Sequence, residues 1–511
     1  MYAFKAYNYP KPELLYELID QFIMPTQYKL FEDGLDNDKE IIDLKSALMG
    51  ESKDSIKREI FHKLSTSTGL RPEWGILTGI RPVKLCGELI AAHGLDEARR
   101  VLKNEYLIDD SKIDMIVKMY DYQIASFGKA KENSVGMYIG IPFCPTRCLY
   151  CSFISSQAEN EKLEAYVDTL IEEIKAIGLR LDNSEFHIES LYIGGGTPSA
   201  LNDEQLHRLL TALRNKIPQQ LREFTFEANP EDLVDSRVAL VKGYGVDRIS
   251  MGVQTFNNEL LKILGRGHVA GDVDMAISNC KKHGIEDINV DLMFSLPKQT
   301  MDDLYDSMKK VAEYNISHIS CYSLILEQKT KLYNQVRDKK VTLPSNETEE
   351  KMYNEVINFL TENGYEQYEI SNFARPGHES VHNSSYWKNV EYYGLGAGAH
   401  GYIDGVRYAN QGALKFYIDS MLEKGHARRE ENTVTLKERI EEEMFLGLRL
   451  LEGVDLDIFE EKYGKRAEEI FKGVIDKNIR EGYLEIEGNK LRLTRKGLFY
   501  GNDVFSEFLL D

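Results

Sequence analysis

A chain of 511 residues, 42% hydrophobic and 29% charged, has the composition of a folded globular protein and is too long for one ordinary core, so roughly two to four units are expected. A formal net charge of −20 argues against general affinity for nucleic acid, whose phosphates require a basic surface. The start, Met1-Tyr-Ala-Phe-Lys5, has no apolar signal-like stretch, and no later run is long enough to span a bilayer, so a cytoplasmic protein with reduced thiols is expected.

Residues 1–130 read as an accessory domain of polar helical segments, such as Asp43–Leu48 and Ile113–Tyr122. They are interrupted by Trp74-Gly-Ile-Leu-Thr-Gly-Ile-Arg-Pro82, where Pro82 suits the first position of a helix and Arg81 and Lys84 could meet an anion or simply be solvated. Next comes Tyr138-Ile-Gly-Ile-Pro-Phe-Cys144-Pro-Thr-Arg-Cys148-Leu-Tyr-Cys151, which holds half of the six cysteines. A closed zinc site needs four ligands, and no second cysteine pair occurs later in the chain. Three thiolates suit an iron–sulfur cube instead, with one iron left open to an outside ligand. Cys86, Cys280 and Cys321 stand alone in apolar or helical contexts and read as small buried hydrophobes.

From 131 to 330 apolar β-branched runs alternate with amphipathic helices. The runs are Val135–Pro142, Ile188–Ile193, Glu223–Ala228, Arg248–Val253, Asp287–Met293 and His318–Leu326; the helices are Lys162–Leu181, Asp203–Ile217, Leu233–Gly243, Asp272–His283 and Met301–Tyr314. Each run ends in something polar: the cysteine loop, Gly194-Gly-Gly-Thr-Pro198, Glu227-Ala-Asn-Pro230, Gln254, Asp291, Tyr322-Ser323. Polar residues gathered at C-terminal strand ends mark a β/α barrel, here a partial one of about six units. Three successive glycines let a ligand approach the backbone. Glu227 and Asp291, carboxylates in apolar strands, need a partner, either a ligand or an arginine such as Arg248 or Arg266.

Residues 331–431 are irregular and are expected to close the barrel's open end. Gly396-Ala-Gly-Ala-His-Gly401 has the letters of a dinucleotide loop, but the next residues, Tyr402-Ile-Asp-Gly-Val-Arg407, read as a hairpin rather than a helix, which excludes that use. Residues 432–511 read as helix, helix, hairpin, a winged-helix-like domain, with Glu468, Glu469, Asp476 and Glu481 diluting the bases of its second helix.

The cysteine spacing resembles the cluster loop of the radical S-adenosylmethionine enzymes. With Gly-Gly-Gly-Thr-Pro, Glu227-Ala-Asn-Pro, Ser250-Met-Gly-Val-Gln-Thr-Phe256, Leu264-Gly-Arg266, Asp291–Gln299 and Gly394–Gly401, the chain resembles the oxygen-independent coproporphyrinogen III oxidase group, in its longer Gram-positive branch. That resemblance implies a [4Fe-4S] cluster on Cys144, Cys148 and Cys151, opened to S-adenosylmethionine, whose cleavage yields a 5′-deoxyadenosyl radical. Tyr138, Gly195, Glu227 and His400 would contact the cluster-bound molecule. Tyr150, Gly196, Thr197, Gln254, Arg266, Asp291 and Ser323 would contact a second one, and Glu227 and Arg266 are the candidate catalytic residues.

The implied reaction is oxidative decarboxylation of coproporphyrinogen III to protoporphyrinogen IX in heme biosynthesis. It would be carried out by a monomer with an unidentified electron donor and acceptor, without nucleic acid, and with Arg81, Arg147 or Arg266 meeting the polyanionic substrate. The chain departs from well-known members at Phe153, where they carry a further cysteine. His382-Asn-x-x-Tyr-Trp387 and Gly-Ala-Gly-Ala-His-Gly resemble the branch that binds and delivers heme, so a heme-trafficking protein is the alternative and a radical heme-degrading methyltransferase a third reading.

Overall fold

The computed structural model describes residues 2–5, 18–19, 22, 28–31, 41–43, 53–77, 82–127, 133–152, 156–157, 159–181, 184, 186–217 and 221–510. The chain divides into two compact units, Met1–Gly128 and Lys129–Asp511. In the first, Tyr2–Lys5 lies between Tyr28–Phe31 and Ile41–Asp43 in a parallel three-stranded sheet. The segment expected as a helix from Asp43 therefore begins at the end of a strand, and residues 44–48 lie outside those described. Helices Lys53–Thr68, Pro82–His93, Leu95–Asn104 and Asp110–Phe127 come next, and Cys86 packs with Leu102, Ile108, Ile113 and Ile116. Pro82 does open its helix, as its fixed φ and missing N–H favour. Arg81 lies outside the described residues.

The second unit is built on six parallel strands in chain order: β1 (Ser134–Ile141), β2 (His187–Gly195), β3 (Glu223–Ala228), β4 (Arg248–Gln254), β5 (Asp287–Phe294) and β6 (His318–Ser323). Between them run α1 (Asn160–Leu181), α2 (Asp203–Lys216), α3 (Asp235–Gly243), α4 (Asn258–Leu264), α5 (Ala270–Lys282) and α6 (Met301–Glu313). This is the expected α/β partial barrel. Local chemistry starts the helices: Asn202 and Gln205 form a reciprocal capping box on α2, as Thr300 and Asp303 do on α6. Short α4 has only two turns of apolar pattern, too few to stand out in the sequence.

The sheet then continues past the barrel. Strands β7 (Glu366–Gln367) and β8 (Asn372–Ala374) extend it antiparallel from β6. At the other edge β9 (Tyr392–Leu395) pairs parallel with β1, and beyond it lie the antiparallel β10 (His400–Ile403), β11 (Val406–Asn410) and β12 (Arg428–Thr433), making twelve strands. The region that reads as irregular thus supplies a seventh parallel strand. Its four residues, interrupted by Gly394, give no clear alternation, and pairing to β1 rather than local propensity makes them a strand.

Two residues seven apart on α1 hold the glycine loop after β9. Tyr166 donates to the Gly140 carbonyl and accepts from the Ala397 N–H at 3.2 Å. Glu173 accepts from Gly396 N–H at 2.8 Å, Asn410 Nδ2 at 2.8 Å and Tyr417 Oη at 2.7 Å. Gly396 has φ +99°, and a Cβ there would lie 2.5 Å from the Gly140 carbonyl oxygen. The glycines of this loop serve close packing, with the hairpin of β10 and β11 beyond them.

The C-terminal part runs helix Leu436–Gly447, strand Val454–Asp455, helix Leu456–Tyr463, helix Lys472–Glu481 and hairpin Leu484–Glu487 to Lys490–Leu493, a winged-helix arrangement. Lys472 pairs with Asp476 and Lys477 with Glu507 on its third helix.

Glu173→Ala leaves three buried donors without an acceptor, each worth about 1–3 kcal/mol when unpaired. Urea unfolding should show a loss of about 3 kcal/mol or more; an unchanged midpoint would contradict the bracing role of α1.

Candidate cofactor site

Along mostly buried strands, Tyr138, Tyr192, Glu227 and Asp291 stay half-buried, because they face the hollow inside of the barrel. Tyr192 donates to Glu227 Oε1 at 2.6 Å and Gly195 N–H to Oε2 at 3.1 Å. Gly194 sits so close that a Cβ would lie 2.8 Å from the Glu227 carboxyl carbon, and a Cβ on Gly195 (φ +112°) would lie 3.1 Å from Tyr138 Oη. The glycines therefore keep the strand end open beside Tyr138 and Glu227. Tyr192 was not singled out by sequence reasoning, although it pairs in register with Tyr138.

Neither arginine that might have paired with the lumen carboxylates does so. Arg248 is bound to Asp287 at 2.7 Å. Arg266 Nη2 donates to Asn229 Oδ1 at 3.0 Å and to the Gly252 carbonyl. Burial, with Asp291 nearby, pushes the Glu227 pKa up to about 7 against the hydrogen bonds from Tyr192 and Gly195. Burial likewise raises Asp291, although Asn289 donates to it at 2.7 Å and Ser320 also bonds it.

The three cysteines are half-buried, unpaired by disulfides, and carried on a loop at the C-terminal end of β1. Gly196 N–H donates to Ile141 O at 2.9 Å and Thr197 N–H to Phe143 O at 2.7 Å, tying the end of β2 to this loop. Leu149 N–H donates to Leu264 O at 2.9 Å, and Leu332 N–H to Leu149 O at 2.8 Å. Thr197 Oγ1 lies 3.5 Å from Cys144 Sγ, and Arg266 Nη1 lies 3.5 Å from Cys148 Sγ, so two donors already face the sulfurs. Among the described residues no three His, Cys, Asp or Glu are grouped to chelate a single ion. Three spaced thiols, two of them accepting hydrogen bonds, fit the corners of a cluster.

The remaining candidates are spread. Tyr150 packs with Leu149 beside α4, with Arg266 and Asp291 near enough to act on its charge. Gln254, buried with φ +69°, accepts from Tyr322 Oη at 3.2 Å. Ser323 donates to Glu349 Oε1 at 2.5 Å, a carboxylate that sequence reasoning missed because it comes from a helix of the closing segment, Asn346–Glu362. His400 is exposed at the start of β10, opposite Ala409, and its side chain makes no hydrogen bond among the described residues. Arg147 is exposed on the cysteine loop, and Phe153 lies outside the described residues.

His382 lies beneath the lumen with both ring nitrogens engaged, Nδ1 with Ser190 Oγ at 2.9 Å and Nε2 with Tyr386 Oη at 2.8 Å. Its ring stacks on Tyr192, with centroids 5.0 Å apart, and burial pushes its pKa down to about 3. Buried Glu223 caps the helix bearing it (Val381–Trp387), accepting from Val381 N–H at 2.7 Å. In this arrangement His382 braces the barrel, and neither nitrogen is free for a metal.

Glu227 has a sign-definite consequence for pH. The folded group keeps its proton to about pH 7, whereas its ordinary value is 4.5, so the native state binds more protons in between and stability falls as pH rises through that window. Compared with Glu227→Gln, the cluster-free wild type should lose about 2 kcal/mol between about pH 5 and about pH 8 in urea unfolding; parallel profiles would contradict a proton held at Glu227.

Comparison with known proteins agrees with this geometry. Residues 138–311 match the Radical SAM superfamily and 434–500 the HemN C-terminal domain. The heme chaperone HemW of Lactococcus lactis is 42% identical over 382 residues, 75% of this chain and 98% of that protein. The heme chaperone HemW of Bacillus subtilis is 41% identical over 374 residues, 73% of this chain and 98% of that protein. In fold, the chain is similar to coproporphyrinogen III oxidase (HemN) from Escherichia coli, a radical SAM enzyme, with a TM-score of 0.65 and 24% identity over 76% of this chain and 93% of that one. The expectation of coproporphyrinogen oxidation is corrected here: the relatives with high identity bear the name of heme chaperones, and the likeness to the oxidase is one of fold. With membership comes a [4Fe-4S] cluster and S-adenosylmethionine, which the cysteine loop and the open glycine edge fit. The chain belongs to the HemN/HemW-like family of radical SAM proteins.

Proposed function

We propose that the protein binds heme and hands it on to other proteins, with the radical SAM barrel as its scaffold. The observation that carries this reading is identity of 32–42% to proteins named heme chaperone HemW, matched over almost their whole length in Lactococcus lactis, Bacillus subtilis and Haemophilus influenzae. His382-Asn-x-x-Tyr-Trp387 supports it as a sequence feature, and its buried His382 acts by positioning Tyr192 and, through it, Glu227.

Cys144, Cys148 and Cys151 hold the cluster in this reading, and Tyr138, Gly195 and Glu227 border the S-adenosylmethionine bound to it. The room beside the glycines supports that assignment. When bound, the pair supplies one-electron chemistry at the strand ends. Glu227 keeps a proton close to neutrality and offers it through the lumen, while Tyr192 and Gly195 N–H fix its two oxygens. Tyr150, Gly196, Thr197, Arg266 and Asp291 border a second molecule; Gln254 and Ser323 join only by leaving Tyr322 and Glu349. His400, solvent-exposed, is left as a contact made once ligand is in place.

Titration of the purified full chain with heme under anaerobic conditions should saturate near one equivalent in the heme absorbance; a linear response without saturation would overturn the carrier reading. Cys148→Ala should lose bound iron after reconstitution while keeping its far-UV circular dichroism, and full iron content in that variant would overturn the cluster assignment.

A further inference from the structure

Arg266 brings a guanidinium into the barrel mouth without a carboxylate in direct contact, although Glu231 and Asp291 lie near enough to feel its charge. Its Nη2 is spent on Asn229 Oδ1 at 3.0 Å and on the Gly252 carbonyl, both neutral, and among the described residues it forms no ion pair. Its Nε is buried and has no partner. Alone, such a buried charge is costly to desolvate. The acidic group that it touches directly is a thiol: Nη1 donates to Cys148 Sγ, 3.5 Å away.

His268 and Glu231 lie close enough to Arg266 for charge to act between them. His268 Nε2 is engaged by the Val253 carbonyl at 3.2 Å, so it carries the proton and leaves Nδ1 an acceptor. That Nδ1 and Glu231 Oε2 lie 3.7 Å apart, and both are buried without a hydrogen-bond partner, as is Arg266 Nε. Burial, helped by Arg266, lowers the His268 pKa to about 4, which keeps it neutral and leaves Arg266 the fixed cation of the group.

We propose that Arg266 is the built-in counter-charge of the cluster: its hydrogen bond to the Cys148 sulfur stabilises the reduced, more negative state and raises the cluster's reduction potential, with Asn229 as a positioning residue. Hydrogen bonds to cluster sulfurs and nearby charge are established levers on such potentials. This rests on the cluster and is independent of whether the protein carries heme.

The test is an anaerobic redox titration of the reconstituted full chain without S-adenosylmethionine, reading the one-electron reduced cluster by electron paramagnetic resonance and the iron content alongside. At the wild-type midpoint, Arg266→Met should show a reduced-to-oxidised ratio about tenfold lower, equal to 59 mV for a one-electron couple. Arg266→Lys, which keeps the charge, should recover most of it. Equal midpoints at equal iron content, or a shift that emerges only when S-adenosylmethionine is added, would overturn the proposal. Should Arg266→Met retain no iron, Asn229→Ala carries the test: it frees the guanidinium from one anchor and should lower the midpoint, and an unchanged value overturns the proposal equally.

Discussion

Four backbone hydrogen bonds fix the cysteine loop, and everything at the barrel mouth depends on them. Gly196 and Thr197 tie the end of β2 to Ile141 and Phe143, while Leu149 is held between the carbonyl of Leu264 and the amide of Leu332. Backbone ties of this kind set position without using side chains, so the sulfurs stay available. Gly265, with φ +72°, lets α4 end directly against Leu149; a Cβ there would stand 3.0 Å from the Leu149 side chain. This anchored loop sets the positions of Thr197 and Arg266 relative to the sulfurs.

Inside the barrel the problem is how to keep polar groups where strands are otherwise apolar. The chain solves it without ion pairs around Glu227: one phenol and one amide serve its oxygens, and protonation near neutrality removes the rest of the cost. Deeper down, Arg248–Asp287, His318–Asn289 and His382–Ser190 form separate, satisfied contacts that close the floor. The lumen is therefore polar at the mouth and internally paired at the base.

Much of this was legible in the sequence. The six strands of the barrel, its long helices and the polar residues at strand ends are read from periodicity, since these are long elements with strong patterns. What was not legible depends on contacts distant in sequence. The short strand β9 exists because β1 offers an edge, and the glycine loop after it is explained by Glu173, more than 200 residues earlier. Tyr192 and Glu349 acquire their roles only once β2 lies beside β3 and the closing helix reaches Ser295 and Ser323. Strand-end chemistry alone also did not separate oxidase from carrier: the features that pointed to the carrier were Phe153, His382-Asn-x-x-Tyr-Trp387 and Gly-Ala-Gly-Ala-His-Gly.

The central proposal is that this protein carries heme and does not oxidise a porphyrinogen. The most direct measurement is anaerobic: reconstituted protein with a reductant, S-adenosylmethionine and coproporphyrinogen III, with porphyrin products tracked by chromatography. The account predicts no vinyl-bearing porphyrin beyond that of a protein-free control. Protoporphyrinogen formed in excess over the protein, together with 5′-deoxyadenosine and absent from Cys148→Ala, would contradict it.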